Sequence, residues 1–140
     1  MGKMNVGRII GGGLLAGLIL NIGEFILNMP ILGKRIEEAM LAKNLPVPGS
    51  GALILYAVLG FVLGIVVIWL YSAIRPRFGA GPKTAVIAGL AVWFVMWLWM
   101  HISMIPMGLF PTSIILISLI WGFFEVPIAT LIGAWVYKEA

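Results

Sequence analysis

The chain has 140 residues, of which 62% are hydrophobic and 10% charged, with nine Lys and Arg, five acidic residues, one His and no Cys. A water-soluble domain carries roughly 25% charged residues, so this composition excludes one, and the missing Cys excludes disulfides, thiolate metal sites and a Cys nucleophile. The net charge of +4 is spread over the ends of apolar runs and not gathered into a basic stripe, which argues for membrane anchoring and against nucleic acid as a partner.

Four apolar runs dominate the chain, each near the roughly 20 residues that a helix needs to cross the hydrocarbon of a bilayer. The first covers residues 9–29 and follows Lys3 and Arg8. It is too long for a signal-peptide core and carries Asn21, Glu24 and Asn28 in its second half, so it reads as a retained helix. A connection from Pro30 to Gly51 follows, with a short helix expected over 33–43. There Leu32, Ile36, Ala39 and Met40 share one face, and Lys34 and Glu38 stand at i,i+4 on the other. Such a segment is expected to lie at the membrane interface.

The second span is expected over 52–74 and the third over 84–105, joined by the basic turn from Arg75 to Lys83 with its Pro and Gly punctuation. Pro106 and Pro111 bracket the next turn, each biasing the residue before it away from helix. The fourth span is expected over 112–137. The fold class is therefore all-α: one integral membrane domain over 1–140, an antiparallel up-down bundle of four transmembrane helices with an interfacial helix between the first two. Lys3, Arg8, Arg75, Arg77, Lys83 and Lys138 fall on one side, and Lys34, Arg35 and Lys43 on the other. The excess of basic residues places both termini in the cytoplasm of a multi-pass protein of the cell membrane.

Polar residues inside the spans are the candidate site, because an ionisable group in hydrocarbon costs several kcal/mol or more unless it has a task or a partner. In the first span Gly13, Gly17, Asn21, Glu24 and Asn28 form one stripe, which must face protein or a cavity. In the fourth, Ser118, Gly122, Glu125, Ala129 and Gly133 do the same, and Pro127 is expected to kink the helix and free the carbonyl of Phe123 beside Glu125. With both span ends flush, Glu24 and Glu125 differ in depth by roughly 10 Å at the helical rise of 1.5 Å per residue. Direct sharing of a proton is then not expected, and Asn21 is the candidate relay. His101, one turn from the outer end of the third span, is the expected cross-helix partner of Glu24. No Lys or Arg sits mid-span to neutralise either Glu, so each is expected to carry its proton unless it binds a cation.

Other features have simpler readings. Gly60 and Gly64 form a small face on the second span, of the kind that packs helices, as do Gly13 and Gly17 on the first and Gly122 and Gly133 on the fourth. Met96, Met100 and Met104 recur at i+4 beside His101 and Met107, a set that thioether-binding Cu(I) would accept but that packing explains as well. No cofactor and no metal is therefore assigned.

Three function classes follow. One is a transporter-like module in which Asn21, Glu24, Asn28, His101 and Glu125 bind a proton, a cation or an amphiphile, working in the bilayer as a homo-oligomer. The second is a non-catalytic accessory subunit of a larger membrane complex, with the glycine stripes as docking faces. The third is a His/Met redox module or an enzyme using the carboxyls as acid and base.

Overall fold

A computed structural model describes residues 3–140; the first two residues of the expected domain lie outside it. Four of its helices are long and apolar enough to cross a membrane: Val6–Ile31, Ser50–Phe78, Pro82–Met104 and Thr112–Val136. No strand occurs among the described residues. The first span is helix α1 (Val6–Ile26), opened by the Asn5 side chain accepting the Arg8 N–H, and it continues through a wide π turn at Leu27–Ile31. Pro30 sits inside that turn and has no N–H to give, so the Leu32 N–H reaches five residues back to the Leu27 carbonyl.

Helix α2 (Gly33–Leu41) follows directly. Its Ile36 packs on a small cluster of Leu27, Leu32 and Ile114, and Arg35 donates to Ser113 Oγ at 2.7 Å. The Lys34–Glu38 pair forms at 4.0 Å but is solvent-exposed and contributes little. Helix α3 (Ser50–Phe78) and helix α4 (Pro82–Trp93) meet at a turn in which Gly79 and Gly81 both have positive φ. The third span then passes through a second π turn, Phe94–Leu98, into helix α5 (Trp99–Met104). Helix α6 (Thr112–Val136) runs on through Pro127 as one helix.

Apolar side chains face outward on every span, among them Ile22 on α1, Val62 on α3, Val95 in the second π turn and Ile120 on α6. In lipid such side chains gain nothing by turning inward, so cohesion comes from close van der Waals packing of small residues. A methyl group at Gly64 would fall on the backbone of Gly13 and Gly17, and one at Gly17 on the backbone of Phe61 and Gly60. Gly12 and Gly133 stand against each other in the same way, joining α1 to α6. Along α1 and α3 the numbers rise on one helix and fall on the other, Gly13 beside Ile65 and Gly17 beside Phe61. The core shared by α1, α3, α4 and α6 is filled by Ala16, Leu20, Val67, Ile68, Ala88, Val126 and Ala129.

The two chain ends meet. Ala140 N donates to the Lys3 carbonyl at 3.2 Å, and the Tyr137 hydroxyl accepts from Asn5 N. Tyr71 stands edge-on to Tyr137, and Arg75 lies over the Tyr137 ring while pairing with Glu139 at 3.4 Å. Gly64→Leu is expected to lower the melting temperature in detergent sharply, since forcing a side chain into a backbone contact costs about 1–3 kcal/mol or more. Gly51→Ala, where nothing lies within 4 Å, is expected to melt like the wild type.

Candidate functional site

The glycines that bring α1 onto α6 also set the position of Glu125. Its carboxyl occupies the space a side chain at Gly23 would take, and the residue is only 7% exposed. Both carboxyl oxygens are buried and neither makes a hydrogen bond. The Glu24 carboxyl and the Trp121 indole are the polar side chains that act on it, and the indole Nε1 is itself buried without a partner. Neither Glu24 nor Glu125 takes part in an ion pair among the described residues.

The depths expected from the span ends separate the two carboxyls; the folded chain brings them together, with the Glu125 carboxyl in the space beside Gly23. The reason lies in the span ends, which are not flush. The first turn of α6 extends past the end of α1, with Ile114 in the cluster of Leu27, Leu32 and the α2 residue Ile36, and Ser113 accepting from Arg35 of α2. That offset lowers Glu125 to the level of Gly23. The sequence does hold a signal for the rest of the floor: Trp121 lies one turn before Glu125, and Gly23, whose missing side chain leaves room for the carboxyl, directly precedes Glu24.

The remaining candidates separate into different roles. Asn28 Nδ2 donates to the Glu24 carboxylate at 2.8 Å and to the Glu24 carbonyl at 2.9 Å, so it holds that side chain in place. Asn21 is turned the other way and donates to the Ala57 carbonyl at 3.0 Å, with its amide resting on Gly60; it ties α1 to α3 and does not relay between the carboxyls. His101 is not paired with Glu24. Its Nδ1 lies 2.8 Å from the Trp97 carbonyl in its own span, which makes Nδ1 the protonated nitrogen because a carbonyl can only accept. Of the methionines near it, Met96, Met100 and Met107 are exposed, and Met104 is half-buried. Gly122 receives the Trp97 indole, and Trp93 Nε1 donates to the Leu119 carbonyl, so this face of α6 belongs to the third span.

Pro127 presses on Gly89 of α4, while the Glu125 side chain reaches toward α1. The expected pairing of Glu125 with a freed Phe123 carbonyl is therefore not formed, as the carboxyl has no hydrogen bond to any group.

A groove of about 540 Å³ opens beside the carboxyl on the outer wall between α1 and α6, walled by Ile19, Ile22, Ile117, Ile120, Phe124 and Ile128. Gly23, Trp121 and Glu125 complete its lining. Comparison of the chain with protein-family models, with curated proteins and with solved structures finds no match.

Asn21→Leu is expected to cost about 1 kcal/mol, the usual worth of a side-chain hydrogen bond between membrane helices. Unfolding in mixed detergent measures this. The infrared carbonyl-stretch bands of the buried carboxyls are expected to stay in place in that variant, because Asn21 touches neither of them.

Proposed function

We propose that this chain is a transporter-like membrane module whose working site is the Glu24–Glu125 pair, binding a proton or a cation. The reading takes the four spans as an antiparallel up-down bundle with both termini in the cytoplasm and α2 on the opposite membrane surface. Its support is the contact of the two chain ends and the excess of basic residues at that end.

One observation carries the functional part: a carboxyl buried beside a second carboxyl, with no hydrogen bond and no positive partner. Two ionised carboxylates can only accept hydrogen bonds, so the contact closes when a proton or a cation sits between them. Holding such a pair in hydrocarbon is costly, and a site that gains and loses its occupant is the use that justifies the cost. The arrangement also gives Asn28 a task, since it presents one Glu24 oxygen and leaves the other to the shared occupant.

The other readings have less behind them. An accessory subunit needs free docking faces, but Gly13, Gly17, Gly60 and Gly64 are used within the chain, as are Gly122 and Gly133. A His/Met redox site needs its ligands to converge, and here the imidazole is engaged by the backbone while Met96, Met100 and Met107 are exposed.

Infrared spectroscopy of the protein in lipid tests the proposal. A carbonyl-stretch band that responds to pH is expected in the wild type. It should disappear in Glu125→Gln and shift in Glu24→Gln, with both variants melting near the wild-type temperature. A wild type with no titrating buried carboxyl, or a band unchanged by Glu125→Gln, would contradict it.

A further inference from the structure

The groove between α1 and α6 adds a second component to the carboxyl site. Its walls are aliphatic and aromatic, and it opens sideways on the surface where Ile22, Ile120, Phe124 and Ile128 are exposed. On a span helix that surface faces hydrocarbon, so a molecule entering it arrives from within the bilayer and not from water. At about 540 Å³ it falls in the range of sites for small organic molecules. What separates it from an ordinary crevice between helices is its floor, where a lining side chain more than nine-tenths buried holds two carboxyl oxygens, both buried and without partners.

We infer that this groove binds a lipophilic organic cation, with its apolar body against the isoleucines and its positive centre at Glu125. The inference rests on the Glu24–Glu125 reading and names the class of cation that reading leaves open. Charge complementarity selects the occupant. Of the elements packed around the floor, α1 contributes Glu24 and α6 contributes Glu125; the basic residues of the spans, Arg8, Arg75, Arg77 and Lys83, lie at the end where the termini meet, and His101 is engaged by the Trp97 carbonyl. An anion, including a phospholipid phosphate, would be repelled by the carboxyls and would find no positive side chain among the lining residues; Arg35, beyond the outer end of the groove, is engaged by Ser113. A neutral hydrocarbon would fill the walls and leave the floor unpaired. Arrival of the cation displaces the shared carboxyl proton, so charge balances: one cation enters and one proton leaves.

Tetraphenylphosphonium, a permanent lipophilic cation with no proton of its own, is the probe, titrated onto the full chain in phosphatidylcholine nanodiscs. Saturable binding with release of a proton is expected for the wild type. Affinity should fall at least about tenfold in Ile120→Trp, which narrows the groove from its outer wall, and binding should vanish in Glu125→Gln. Ile54→Trp, on the exposed face of α3, should bind like the wild type. Absence of saturable binding while the carboxyl band still titrates overturns the groove ligand and leaves the carboxyl site standing. Absence of both overturns the underlying reading. Unchanged binding in Ile120→Trp overturns the groove as the route. An oligomer that Ile120→Trp dissociates in native mass spectrometry, with no probe bound, identifies a second copy as the occupant and likewise overturns the proposal.

Discussion

How closely α1 can approach α6 decides whether the two carboxyls meet. The helices touch at Gly12 and Gly133, and again at Gly23 and Glu125. Between these points α1 advances eleven residues, about 16 Å, and α6 eight residues, about 12 Å. At the second contact the Glu125 side chain reaches α1, and it fits there because position 23 has no side chain of its own. A methyl group there would occupy the site of the carboxyl, and the pair would be pushed apart.

The α1–α3 contact supports this arrangement from the other side. Gly13 and Gly17 against Gly60 and Gly64 remove the bulk that would otherwise lift α1 away from its neighbours, and Asn21 fastens the same face through the Ala57 carbonyl. In a membrane no hydrophobic force drives helices together, so these contacts hold by geometry and by hydrogen bonds that lipid cannot replace. Asn21 therefore serves the fold, and Asn28, two turns on, holds the Glu24 carboxyl. The cluster of Tyr71, Tyr137, Arg75 and Glu139 closes the end where the termini meet, and the packing of α2 on the start of α6 closes the opposite end.

The four spans and the short helix after the first are legible in the sequence because lipid imposes a single requirement, about twenty apolar residues, that composition satisfies or fails. Residues such as Glu24 and Glu125 announce themselves for the converse reason: a carboxyl in such a run is expensive. The partnership between them is not legible. A stripe of small and polar residues says that a face is packed, not against which helix, and the stripe on α6 divides, Gly122 to the third span and Glu125 and Gly133 to α1. Depth estimates assume flush ends, whereas the start of α6 extends onto α2. His101 illustrates the same limit, for an imidazole can be satisfied by a carbonyl of its own helix as readily as by a distant carboxylate.

Solid-state NMR of the protein in lipid, with glutamate labelled at the side-chain carboxyl carbon, tests the meeting of the carboxyls most directly. The chain has five Glu, and Glu37, Glu38 and Glu139 lie outside the four spans, so only one pair can give a correlation from within the bundle. A carbon–carbon contact within about 6 Å that disappears in Glu125→Gln is the predicted result. A Glu125 resonance with no carboxyl neighbour, or one correlated only with lipid, would contradict the account.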